Sequence, residues 1–230
     1  MKTLKLSEVL VLNPQDGDSL LVHTKKFSIP ALLIRMGTSG HWNHVALISA
    51  SGDEITVVEA DTKKGIVERP ISFYQDEKTF ELLLMRPIHM QDGGDYNRAI
   101  GHQVIISARK DLGKKYDFTA LVGFTIEFIE DITHKWWAKA GEWLFKKYNP
   151  FQLKSRWFCS EHTVAKYREC GVAVCNGTTP ASASPNDIYR DVSNGMMIVT
   201  DEKNSDIVEY NATRKTWSRK LYLDEKDHVC

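Results

Sequence analysis

No uncharged apolar run in the 230 residues reaches the ~20 residues that a membrane-spanning helix needs. The opening residues, Met1-Lys2-Thr3-Leu4-Lys5-Leu6-Ser7-Glu8, also lack the apolar core of a secretory signal, so a cytoplasmic location is expected. Neither charge is in excess. Thirty Lys and Arg balance thirty Asp and Glu, and no basic block stands out. Phosphate contacts require clustered positive charge, so nucleic acid is not an expected partner. Cysteine is scarce: Cys159, Cys170, Cys175 and Cys230 are the only four. Without export, reduced thiols are the better reading than disulfides. Cys170 and Cys175 have no histidine pair beside them, so neither a metal nor another cofactor is expected. Repeats and low-complexity linkers are absent too, and the length suits a single domain over 1–230.

Turn signals and apolar patterning divide the rest. Residues 8–12 and 19–23 read as strands around the turn-rich Asn13-Pro14-Gln15-Asp16-Gly17-Asp18. Ser28-Ile29-Pro30 reads as the cap and first turn of a helix reaching about Met36. Strands follow at 45–49, 55–59, 64–68 and 80–86. Asp95 can cap a helix to Leu112, with Gly113 as its stop. A helical, aromatic-rich stretch covers about 118–150, and another helix runs from Cys159 to Cys170-Gly171. A loop, a short helix and weak strands near 196–200 and 206–210 complete the chain. The fold class expected is α+β with antiparallel pairing.

Cys159 is the most informative residue. It lies in Arg156-Trp157-Phe158-Cys159-Ser160-Glu161-His162, where aromatics lead straight into a helix-forming stretch. A helix N-terminus favours thiolate over thiol, and a thiolate near a histidine is the nucleophile of cysteine hydrolases and acyltransferases. An aromatic-flanked cysteine is also what a buried small hydrophobe looks like. A base is what separates the two.

His44 opens the strand 44–49, and Glu59 stands near the end of the strand 55–60. A four-residue loop over 50–53 would pair Ser49 with Glu54, and by constant sum His44 with Glu59. Directly opposed Cβ atoms lie about 4.5–5.5 Å apart, within reach of a carboxylate–imidazole hydrogen bond. The carboxylate would fix the tautomer of the base and favour imidazolium. A bulge of one residue would undo this by turning one side chain away. A cross-strand His–Glu pair is also common with no catalytic role.

These residues occur in an order that resembles a known family. Gly17-Asp18, His44-Val45-Ala46-Leu47-Ile48, Val58-Glu59-Ala60, Arg86-Pro87, Gly113-Lys114-Lys115-Tyr116-Asp117, Phe158-Cys159-Ser160-Glu161 and Ser184-Pro185 follow one another over roughly 15–190. The set is similar to the permuted papain-like amidases of the NlpC-like superfamily, the YiiX-like group. Its relatives include the lecithin retinol acyltransferase-like enzymes. The resemblance implies a circularly permuted papain-like fold, with an antiparallel sheet or partial barrel carrying His44 and Glu59 packed on the helix carrying Cys159. It implies a Cys159–His44–Glu59 triad that cleaves an amide or ester through an acyl-thioester, with the Cys159 N–H as one oxyanion donor. Trp42, Tyr116 and Trp157, close in sequence to these motifs, are the expected substrate contacts. The chain departs from the family at Asn43, where serine usually precedes the histidine, and at His162, usually apolar. It also departs in the roughly forty residues between Asp117 and Cys159. His162 is a rival base on the helix of Cys159, and His41 reads as a rim residue.

In 129–147, Ile129, Ile132, Trp136, Ala140, Trp143 and Lys147 recur at helical spacing. One reading is a helix packed on the core. The other is a lid over an apolar substrate, or a peripheral contact with a bilayer. Three functions therefore stand. The first is a cysteine amidase or peptidase acting on a small peptide or amide. The second is a lipid-directed acyltransferase or thioesterase at the same site, and the third is a papain-like binding module that has lost activity.

Overall fold

The segments richest in Leu, Val and Ile build one antiparallel sheet whose central strands are apolar on both faces. Leu20, Leu21 and Val22, like Val45 to Ile48, are all buried, so layers must cover the sheet on each side. The computed structural model describes residues 3–26, 40–88, 91–92, 95–117, 156–192, 195–199, 206–211 and 216–221. Its principal strands are β1 (Ser19–Thr24), β2 (His44–Ser49), β3 (Thr56–Asp61), β4 (Gly65–Pro70), β5 (Phe80–Pro87) and β6 (Met196–Ile198). They lie in the order β6-β5-β1-β2-β3-β4, every neighbour antiparallel. The α+β expectation holds.

Helices α2 (Arg98–Arg109) and α3 (Cys159–Glu169) cover one face. Val104, Ile105, Ala108, Val164 and Tyr167 pack there on Leu21, Val45, Leu47 and Val58. The other face packs Leu20, Val22, Ala46, Ile48 and Val57 under α1 (Leu6–Val11) and the 3-10 turn Ile71–Tyr74. A short helix, α4 (Pro185–Arg190), is capped by Ser184, whose side chain accepts from Asp187 N. Beyond β6, Asp206–Asn211 and Thr216–Leu221 form a separate antiparallel pair.

Several local expectations change. Residues 8–12 are not a strand. Leu6 and Val9, three apart, bury one side of α1, Val11 stays exposed, and Glu8 Oε2 accepts from Lys5 N at 2.7 Å. Helix α2 starts two residues later than Asp95 suggested, because Asn97 takes the cap and accepts from Ile100 N at 3.3 Å. Asp95 instead pairs with Asp92 in a two-residue ladder. The helix expected over 28–36 and the aromatic stretch at 118–150 lie outside the described residues.

The β2–β3 turn is the correction that matters most. Ser49 pairs with Thr56, Ile48 with Val57 and Leu47 with Val58, so residues 50–55 form the loop rather than 50–53. Asp16 explains the extra length. Its Oδ1 accepts from Ala50 N at 2.6 Å and Ser51 N at 3.0 Å, holding those amides out of a tight turn. The register moves by two, an even number, so His44 and Glu59 keep a common face although they are not directly opposed.

Candidate active site

The approach to Cys159 is anchored to the sheet through a short parallel ladder, Lys115–Tyr116 beside Arg156–Trp157. Asp117 N donates to Trp157 O at 3.0 Å. Lys114 O in turn accepts from Ile66 N of β4 at 2.8 Å. Gly65 permits that approach: its φ is +79°, and a Cβ there would fall 2.0 Å from Lys114 O. Phe158 is extended at the N-cap of α3, and its N–H donates to Glu161 Oε2 at 3.3 Å. Cys159 therefore occupies the first helical position, and it is buried.

Polar bolts fix the helix behind it. Tyr167 Oη donates to Gly17 O at 2.6 Å and lies 2.7 Å from Ser19 Oγ of β1. Ser160 Oγ donates to Ala183 O at 2.6 Å. Asp18, buried beside these groups, takes a two-pronged bond from Arg86, with both contacts at 2.7 Å. Gly17-Asp18 and Arg86 thus have structural duties close to the helix of the thiol.

Pairing of β2 with β3 ends at Leu47 and Val58, short of His44 and Glu59. Helix α3 packs against both strands. His44 Nε2 donates to Glu59 Oε2 at 2.6 Å, and the Cys159 side chain lies near enough to the same imidazole to raise its pKa. Nε2 serves Glu59, so Nδ1 is the ring nitrogen not engaged by the carboxylate. Glu59 is held at both oxygens. Arg69 Nε lies 2.8 Å from Oε1, and Tyr74 Oη donates to Oε2. Arg69 also pairs with Asp61 Oδ2 at 2.6 Å.

Burial opposes charge on both members of the pair, and their attraction overrides it. For His44, burial favours loss of the proton, but the Glu59 carboxylate and the Cys159 side chain raise its pKa to about 10. For Glu59, burial favours the neutral acid, yet His44, Arg69 and Tyr74 hold it below the usual carboxylate range. The resulting state is an imidazolium between a carboxylate and a sulfur.

The remaining site expectations divide by burial. Trp42 is fully buried, its backbone N–H donating to Asn186 Oδ1 at 3.0 Å and its ring packed in the core. Tyr116 is also a core residue, edge-on to Phe158 at 6.0 Å. Trp157 is half-buried and edge-on to His162 at 5.5 Å. His162 is buried and faces Asp111: its Nε2 lies 3.4 Å from Asp111 Oδ2, which also receives Lys166 at 2.7 Å. Burial lowers the pKa of His162 despite Asp111.

Tyr74 and Arg69 escaped the sequence reading. Tyr74 had no local signal, because a 3-10 turn after β4 brings it over Glu59. Arg69 was within reach: it is the cross-strand partner of Val57, which places it on the face of Glu59. Drawing the β3–β4 register would have found it.

A six-stranded antiparallel sheet with a cysteine-bearing helix laid on β2 and β3 defines an α+β protein of YiiX-like fold. The chain is similar to the crystal structure of metalloprotein YiiX from Escherichia coli O157:H7, with a TM-score of 0.52 and 16% identity. The match covers 82% of this chain and 98% of that one. At this identity the likeness is one of fold. No family model matches the chain, and no curated protein matches it in sequence.

Proposed function

We propose that this protein is a cysteine-dependent hydrolase of amides or esters, with Cys159 as nucleophile, His44 as acid and base, and Glu59 as the group that orients His44. The observation carrying this reading is His44 itself, bonded through Nε2 to a buried carboxylate and with the Cys159 side chain acting on the same imidazole. The order of elements, sheet residues first and cysteine helix second, supports a circularly permuted papain-like arrangement.

In the proposed cycle His44 takes the thiol proton, and Sγ attacks the substrate carbonyl carbon. Negative charge develops on the carbonyl oxygen, and the Cys159 N–H at the helix N-terminus is a donor suited to it. Collapse breaks the C–N or C–O bond while the imidazolium gives its proton to the departing amine or alcohol. Water, deprotonated by His44, then attacks the acyl-thioester and releases the acid. Glu59 takes no proton and keeps the ring aligned throughout.

The test combines a thiol-directed electrophile with substrate panels. Cys159 is expected to alkylate faster than Cys170 and Cys175, whose thiols burial pushes up, and His44→Ala is expected to abolish that lead. Equal labelling of all three, indifferent to His44, sinks the reading and leaves a papain-like binding module. Single-turnover acylation by a peptide p-nitroanilide against a lipid ester distinguishes the amidase from the lipid-directed alternative.

A further inference from the structure

His23, His41 and Glu81 converge from three segments on the sheet. His23 of β1 is the direct cross-strand partner of Glu81 of β5. His41 arrives just ahead of β2, and its ring stacks on that of His23, centroids 4.0 Å apart and planes 12° from parallel. His41 Nε2 lies 3.0 Å from Glu81 Oε2. One ligating atom from each of the three residues falls within 4.8 Å of the others. We propose that these residues form a binding site for a single divalent transition-metal ion of zinc-like chemistry.

The first argument is tautomeric. His23 Nδ1 is 2.6 Å from His41 O, and a carbonyl can only accept, so Nδ1 carries the proton. The neutral ring therefore keeps its lone pair on Nε2. A ligating histidine whose second nitrogen is fixed by a backbone carbonyl is the usual support for a bound metal. His41 is steadied as well, edge-on to the buried Trp42 at 5.0 Å.

Charge supplies the second argument. Glu81 offsets the charge of a bound cation. Two nitrogens and one carboxylate oxygen form a donor set for zinc-type ions, leaving a fourth position for water, whereas magnesium and calcium favour oxygen throughout. Tetrahedral bonds of this type set neighbouring ligand atoms about 3.3 Å apart. The His41–Glu81 contact is close to that spacing. The ion would replace the proton that His41 Nε2 donates to Glu81, and the His41 ring must turn out of its stack on His23 for both lone pairs to reach it. All three residues are half-buried, which leaves an approach for the ion. Lys25 Nζ lies 3.2 Å from Glu81 Oε1, leaving Oε2 to the ion while competing with it electrostatically.

The experiment titrates chelator-stripped full-length protein with Co(II) followed by visible absorption, and with Zn(II) by equilibrium dialysis. One equivalent is expected, with tetrahedral Co(II) bands and no thiolate charge-transfer band. His41→Ala and Glu81→Gln should each weaken binding by about 100-fold or more, since even an outer partner of a metal ligand is worth 10–100-fold. Lys25→Ala should tighten it, and Cys159→Ser should leave it unchanged. Wild-type protein that binds neither ion saturably overturns the site whatever the variants do. So does binding that survives both His41→Ala and Glu81→Gln, or that vanishes with Cys159→Ser. Glu81→Gln conserves shape and carries the comparison if His41→Ala perturbs the fold.

Discussion

His44 donates through Nε2 to Glu59 at 2.6 Å, although the two residues are not opposed in the β2–β3 ladder. Contact is made across a diagonal, at the end where the two strands are no longer paired. Arg69 and Tyr74 complete the ring of partners around the carboxylate.

Glu59→Gln keeps the shape and removes the charge that Arg69 and His44 share. Breaking a buried pair of this kind costs about 3–5 kcal/mol, so urea unfolding should show a loss of that order. Alkylation of Cys159 should slow at neutral pH. A large stability loss with an unchanged alkylation rate would reduce Glu59 to a structural role.

His44 gives a pH signature. Its folded pKa, about 10, lies above the ordinary 6.5. The folded state therefore binds this proton more tightly. The stability it contributes is complete below about pH 6.5 and is lost as pH rises through 10. Thermal midpoints between pH 7 and 10 should fall more steeply for the wild type than for His44→Gln. Parallel curves would contradict the proposed ion pair.

Glu161 is also raised, to about 6 from 4.5, chiefly by burial. For an acid shifted upward, the associated stability is present below pH 4.5 and lost as pH climbs through 6. Glu161→Gln retains an acceptor for Phe158 N and removes the buried charge. It should stabilise the protein at pH 8 by at most about 1–2 kcal/mol and bring no gain at pH 4. Denaturant midpoints at the two pH values decide this.

His162→Gln separates the two histidines. Losing the contact with Asp111 should cost about 1–3 kcal/mol, while Cys159 alkylates at the wild-type rate. Should alkylation collapse as it does in His44→Ala, His162 would replace His44 as the base.

Asp16→Ala removes the acceptor for Ala50 and Ser51. Two lost backbone bonds predict about 1–3 kcal/mol of destabilisation and faster amide exchange at these two positions. Unaltered exchange would mean that the length of the loop has another cause.

Much of this arrangement was legible in the chain. The apolar runs of β1 to β5 and the helix after Phe158 follow from local patterning, and so does the end of that helix, where Gly171 takes a φ of +77°. His44 and Glu59 were placed on one face correctly, for a reason that was partly wrong. The loop is two residues longer at the β3 side than expected, and only the even size of that difference preserved the face.

Residues 44, 59 and 159 were chosen by the sequence through period-two alternation and a helix start, both of which act over a few residues. Their meeting was decided by tertiary structure. Asp16 sets the loop from 34 or more residues away, Arg69 and Tyr74 gather on Glu59 from β4 and the turn beyond it, and α3 reaches the sheet through Tyr116 and β4. The burial of Trp42 and His162 was decided the same way, since burial depends on which layer covers a residue. Local propensity carries no information about contacts that only close when distant segments pack, and the grouping of these three residues consists almost wholly of such contacts.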